Sequence, residues 1–167
     1  MLPGGGGPAR SGYDWCMGRL LAVVLALVAV SDAAEAQRRR GPPLPAGTVE
    51  ARIVGLRSDD GRVACAIFDD GDAFPSDRAR AVQGKLAPIR DGVAVCRFTG
   101  LRAGTYAVAF IHDEDGDGEF DTGLFGIPTE GYGASNDASS TFGPPDWEDA
   151  RFELGATGRR MRLRTRY

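Results

Sequence analysis

Histidine is almost missing from this sequence: His112 is the only one in 167 residues. One imidazole is too few for the common zinc arrangements. Serine chemistry lacks its context as well, because Ser135, Ser139 and Ser140 sit in no Gly-x-Ser-x-Gly turn and have no second base. Cysteine is scarce, with Cys16, Cys65 and Cys96 the whole supply. Long apolar runs are absent too. The longest, Leu20 to Val30, is eleven residues, too short for a lasting bilayer span. The net charge of −3 weighs against a nucleic-acid partner. From Ala103 to Ala150 there is no Lys or Arg at all, while carboxylates accumulate there.

The apolar run has a different use. Arg10 and Arg19 precede it and Ala34-Glu35-Ala36 follows it, the layout of a secretory signal peptide over 1–36, cut before Gln37. Cys16 leaves with the signal. Arg38-Arg39-Arg40 and a Gly-Pro-Pro-Leu-Pro segment make 37–46 an exposed linker, which leaves 47–167 as a single domain. The product is expected to be periplasmic or secreted, with no transmembrane anchor after cleavage.

Period-two patterning then runs through the chain. Val49, Ala51 and Ile53 alternate with Glu50 and Arg52 as a half-buried strand. Asp59-Asp60-Gly61 reads as a hairpin turn into Val63–Phe68, whose two apolar faces place it inside a sheet. Ser76 to Val82 is the one predicted helix. Asp91-Gly92 is a two-residue hairpin signal between 85–90 and 93–99, and Pro88 marks the first of these as an edge strand. A strand follows from Thr105. Ala150, Phe152 and Leu154 lie on one face of another. Finally Arg160, Arg162, Arg164 and Arg166 alternate with Met161, Leu163, Thr165 and Tyr167. About seven short strands with turn signals predict an all-β fold, an immunoglobulin-like or transthyretin-like β-sandwich. Cys65 and Cys96, each central in its strand, are predicted to form a disulfide once exported.

One long loop interrupts the pattern, from Asp113 to Asp149. It holds Phe120, Leu124, Phe125, Ile127, Tyr132, Phe142 and Trp147, too many large apolar groups for a disordered segment. It should fold back over an end or edge of the sandwich. Its start, Asp113 to Asp121, fits a calcium-binding loop: Asp113, Asp115, Asp117, the Glu119 carbonyl and Asp121 fall at ligand positions one, three, five, seven and nine, with Gly118 at six. Position twelve is Leu124 where a bidentate Glu is required, so further oxygens would have to come from Glu130, Asp137 or water. The competing reading is a solvated Asp/Gly turn.

The same stretch carries a resemblance. His112-Asp113-Glu114-Asp115-Gly116-Asp117-Gly118, Gly126-Ile127-Pro128-Thr129-Glu130-Gly131, Ser135-Asn136 and Gly143-Pro144-Pro145 together resemble the bacterial domain-of-unknown-function family 2141. Asp115 and Asp117 stand where that family usually has Asn, and Ala134 where an aromatic is common. The resemblance implies an exported all-β domain and implies no activity. The sequence therefore points to a non-catalytic module of the cell envelope, stabilised by calcium and binding a glycan or protein partner. Tyr132, Phe142 and Trp147 are the candidate aromatic surface. The arginines from Arg160 to Arg166 offer a contact for an anionic surface. The alternative is a metal-dependent envelope enzyme centred on His112 and the acidic loop.

Overall fold

A computed structural model describes residues 42–123, 128–140 and 143–167. The predicted signal peptide over 1–36, the linker arginines, Leu124 and Phe142 lie outside the described residues. From Pro43 onward the chain forms one compact unit of two β-sheets. Its strands are β1 (Val49–Val54), β2 (Arg62–Phe68), β3 (Gln83–Ala87), β4 (Val93–Phe98), β5 (Gly104–Asp113), β6 (Gly131–Ala134), β7 (Phe152–Leu154) and β8 (Arg159–Arg164). One sheet has the order β4-β1-β8, and the other β3-β2-β5-β6, with β7 also paired to β5. Only the β1–β8 pair is parallel. The arrangement is sandwich-like and is not a closed barrel.

Alternation decides what lies between the sheets. Val49, Ala51 and Ile53 of β1 face Val63, Cys65 and Ile67 of β2, and Phe98, Val108, Phe110 and Leu163 complete one apolar cluster. Cys65 of one sheet and Cys96 of the other are joined by a disulfide across it, their Cα atoms 6.5 Å apart. The predicted pairing is therefore present, and it ties sheet to sheet. β2 has all but its first residue buried because a second cluster covers its outer face. There Ala66, Phe68, Ala107 and Ala134 meet Ala73, Phe74 and Ala150. The long loop supplies part of that cover through a short helix, α1 (Trp147–Ala150).

Several sequence expectations need correction. The Ser76–Val82 helix is only a single 3-10 turn over Arg78–Arg80 that buries no residue, and so short an exposed segment has no packing to offset its nucleation cost. Neither predicted hairpin joins neighbouring strands of one ladder. β1 and β2 belong to different sheets, and so do β3 and β4. The Asp91-Gly92 turn itself is real: both residues have positive φ, and Arg90 pairs with Val93. It is a corner between sheets, held by Asp59, whose carboxylate accepts the amides of Asp91 and Gly92 at 2.9 and 2.8 Å. β3 is an edge strand as predicted, but it runs Gln83–Ala87 and ends just before Pro88 instead of containing it, because proline has no amide to give a ladder. Ala150 does not share a face with Phe152 and Leu154. It closes α1 and packs on the outer cluster, whereas they face the core. Arg166 leaves the outward row of β8 and pairs through its backbone with Tyr132 of the other sheet.

The disulfide should be a large part of this unit's stability, since it spans 31 residues. Replacing both cysteines by alanine is expected to lower the free energy of unfolding by about 2–4 kcal/mol in a denaturant titration. Thiol counting on denatured, unreduced protein should find no reactive Cys65 or Cys96.

Candidate functional site

β5 is the longest strand, and it delivers His112 and Asp113 to the start of the acidic loop with no solvent exposure at either side chain. A buried carboxylate must be compensated. Asp113 lies directly opposite Arg62 in the β2–β5 ladder, and Arg62 Nε donates to its Oδ2 at 2.9 Å. The other oxygen accepts the Gly116 amide at 2.9 Å. Burial pushes this carboxyl up, but Arg62 and the amides of Gly118 and Gly116 outweigh it and hold it below the usual carboxylate range.

Arginines from outside the loop also hold its backbone. Arg62 Nη2 donates to Gly116 O at 2.6 Å, and Arg78 Nη1 donates to Gly118 O at 2.7 Å. Between these points the loop folds on its own side chains: Asp115 Oδ1 accepts the Asp117 amide at 3.1 Å, and Asp117 Oδ1 accepts the Glu119 amide at 2.7 Å. Buried Glu130 pins both ends, accepting the Glu114 amide at 3.0 Å and the Asp121 amide at 3.3 Å. Asp113, Asp115 and Asp117 each offer an oxygen to a common point, with those atoms within 4.8 Å of one another.

His112 is fully used. Its Nε2 lies 3.0 Å from the Asp60 carbonyl, which can only accept, so Nε2 carries the proton. Its Nδ1 is hydrogen-bonded with the Tyr167 hydroxyl at 2.8 Å and lies 3.7 Å from a Glu114 carboxylate oxygen, and the same hydroxyl accepts the Arg57 amide at 2.9 Å. Burial pushes the Tyr167 phenol up, which keeps it protonated. The Arg57 guanidinium lies over the Tyr167 ring, 4.5 Å from its centre, and forms a two-point ion pair with Glu114. That hydrogen-bonded pairing, against partial burial, holds the Glu114 carboxyl below its usual range.

Comparison with known proteins bears on this site. Residues 51–162 match the family described as "Uncharacterized protein conserved in bacteria (DUF2141)". The chain belongs to this family. No curated protein and no solved structure matches it. Ser135 is buried, takes the Val108 amide at 3.0 Å and donates to Ala150 O at 2.6 Å. Asn136 donates from Nδ2 to the carbonyls of Asp149 and Arg151, both at 3.0 Å. Gly131 and Gly133 sit in β6 where any larger residue would collide: a Cβ would lie 2.6 Å from Thr165 at the first and 2.6 Å from the Phe110 ring at the second. These motifs stitch the long segment onto β5 and β8.

The predicted ligand set is thus brought together in part. Asp113, Asp115 and Asp117 converge, and the exposed Asp121 side chain lies outside that group; the Glu119 carbonyl, expected as a ligand, is a backbone atom to which this side-chain grouping does not apply. Glu130 and Asp137 are not in the convergent group: Glu130 accepts the amides of Glu114 and Asp121, and Asp137 Oδ1 accepts the Arg164 amide at 2.8 Å. Of the aromatic trio, Phe142 lies outside the described residues. Tyr132 is half-buried edge-on to Phe120, while Trp147 is half-buried edge-on to Phe74. Sequence reasoning missed Arg57, Arg62, Arg78 and Tyr167. Only Arg62 had a legible signal, as the residue that antiparallel pairing of β2 with β5 sets opposite Asp113.

Arg62→Met should leave buried Asp113 without its cation and cost about 1–3 kcal/mol of stability in denaturant unfolding. Because Asp113 and Glu114 have lowered carboxyl pKa values when folded, their contribution is fully present above about pH 4 and is lost as pH falls through the folded values. The acid-side loss of stability should be shallower in Arg62→Met than in the unmutated protein.

Proposed function

We propose that this protein is an exported, non-catalytic β-sandwich module of the bacterial cell envelope whose acidic loop is ordered by a calcium ion. The observation that carries the reading is the convergence of the Asp113, Asp115 and Asp117 oxygens within 4.8 Å. Arg62 compensates Asp113 directly, whereas Asp115 and Asp117 lie exposed on the loop. Each accepts one amide, and a carboxylate has roughly four lone-pair sites, so both retain capacity for a cation. An all-oxygen set favours a hard cation. Calcium suits it better than magnesium because it tolerates irregular geometry and water ligands. The non-catalytic part is supported by His112, which has both nitrogens engaged in bonds that fix the end of β5 to the Asp60 turn and to Tyr167.

Arg62 also explains why binding should be weak. It already donates to Asp113 and to Gly116 O, so the ion replaces only the remaining imbalance of charge. A dissociation constant on the order of 10⁻⁴–10⁻³ M follows, as in extracellular calcium modules. At ten times that constant the stabilisation is about 1.4 kcal/mol, or roughly 3–6 °C in melting temperature. Thermal unfolding in millimolar calcium, against magnesium and against a chelator, should show that rise for calcium, and Asp115→Ala should abolish it. No calcium-specific rise in the unmutated protein leaves a solvated turn held by Arg62 and Arg78. Export is checked separately: intact-mass analysis of envelope material should find a chain beginning near Gln37, and a species retaining Met1 would refute it.

A further inference from the structure

The β4-β1-β8 sheet turns an unusually one-signed face to solvent. Its outward ladder positions form three rows. Glu50 lies between Arg97 and Arg160, Arg52 between Val95 and Arg162, and Val54 between Val93 and Arg164. Five arginines therefore share the face with one carboxylate. Glu50 is committed to Arg97 and to Arg160, the latter at 3.1 Å. Partial burial works against ionisation of Glu50, but the two guanidinium groups outweigh it and keep the carboxyl below its ordinary range. In the middle row Arg52 and Arg162 face each other across the parallel ladder with no acidic residue in that row. Like charges directly opposite on a sheet are unfavourable. At the far row Asp137 approaches Arg164 from the side at 4.0 Å, leaving the Arg164 side chain 76% exposed. All this stands on a chain whose net charge is −3, so the positive charge is segregated rather than general.

We propose that this face docks on the anionic headgroup plane of a phospholipid bilayer. The guanidinium fork matches phosphate oxygens in pairs. Neighbouring strands lie about 4.8 Å apart and alternate residues along a strand about 6.6 Å apart, so arginines on β1, β4 and β8 form a two-dimensional grid. A single polyanion chain would meet one line of that grid; a headgroup plane meets all of it. Val95, 42% exposed beside Arg52, and the partly exposed Val93 and Val54 give the plane a shallow apolar contact between the charges. The inference takes from the reading above only that the protein is exported. It does not involve the calcium loop, which lies on the other sheet.

Vesicle co-sedimentation tests it with protein purified as its host processes it, intact mass confirming the same N-terminus in every variant. Vesicles of phosphatidylcholine with phosphatidylglycerol should bind the protein, and pure phosphatidylcholine should not. Arg162→Gln should weaken binding about fivefold, and Arg52→Gln with Arg162→Gln about 30-fold. Arg102→Gln with Arg151→Gln removes equal charge from exposed positions off this face and should cost less than about threefold. All these side chains are exposed, and a melting curve on each variant confirms folding. Equal weakening by the two double variants would overturn the proposal, as would equal binding to pure phosphatidylcholine. So would binding of soluble polygalacturonate without binding of the anionic vesicles, which would assign the face to an acidic polysaccharide. Because no step depends on added calcium, failure here leaves the calcium result standing, and the reverse.

Discussion

A carboxylate with no solvent exposure terminates the longest strand, and the arrangement around it follows from that. Asp113 has to be ionised to accept from Arg62 and from the Gly116 amide, and an ionised group inside a protein needs every lone pair answered. The β2–β5 register sets Arg62 opposite it. The same guanidinium then reaches Gly116 O, so the charge pair also fixes the first bend of the acidic loop. Arg57 does the equivalent for Glu114 and for the Thr129 carbonyl, at 3.0 Å. The cations missing from 103–150 are thus contributed by the segment between β1 and β2, by the start of β2 and by the turn at Arg78. These arginines, with buried Glu130, hold the loop's backbone at Gly116, Gly118, Glu114 and Asp121.

How far this was legible from sequence depends on the range of the signal. Alternation at Val49–Ile53, Val63–Phe68 and Met161–Tyr167 is local, and it identified strands and their inward faces. The central cysteines in two such strands were enough to predict their pairing. Strand partnership is not local. The Asp91-Gly92 turn has the sequence of a tight hairpin and the backbone of one, but the strands on either side diverge into different sheets after a single bridge. Asp59 makes that corner tolerable by capping its amides from 32 residues away. β6 was hidden for another reason. Gly-Tyr-Gly-Ala has little strand propensity, and it pairs with β5 because a chain without side chains can approach Phe110 and the end of β8. In the candidate site the carboxylates were visible as a spacing, whereas their counter-charges came from sequence-distant arginines that nothing local marked.

The disulfide and the two apolar clusters divide the work of cohesion. Cys65–Cys96 and the inner cluster hold sheet to sheet. The outer cluster holds the long segment to the back of the larger sheet, through small residues on β2, β5 and β6 and the larger rings of Phe68, Phe74 and Trp147. Small side chains there, Ala134 among them, allow close approach. The three-stranded sheet has no comparable cover on its outward face among the described residues; arginines occupy it instead.

Strand β8 connects these regions. Its arginines project from the three-stranded sheet, while Leu163 on the alternate side is buried in the core. Beyond Arg164 the chain changes sheets. Thr165 bonds Val54 O through both its amide and its hydroxyl at 3.0 Å, Arg166 pairs with Tyr132 of β6, and the Tyr167 hydroxyl meets His112. Six residues thus run from the basic face to the buried end of β5. Extended backbone bonded at Val54 and Tyr132 therefore anchors the end of this segment to both sheets.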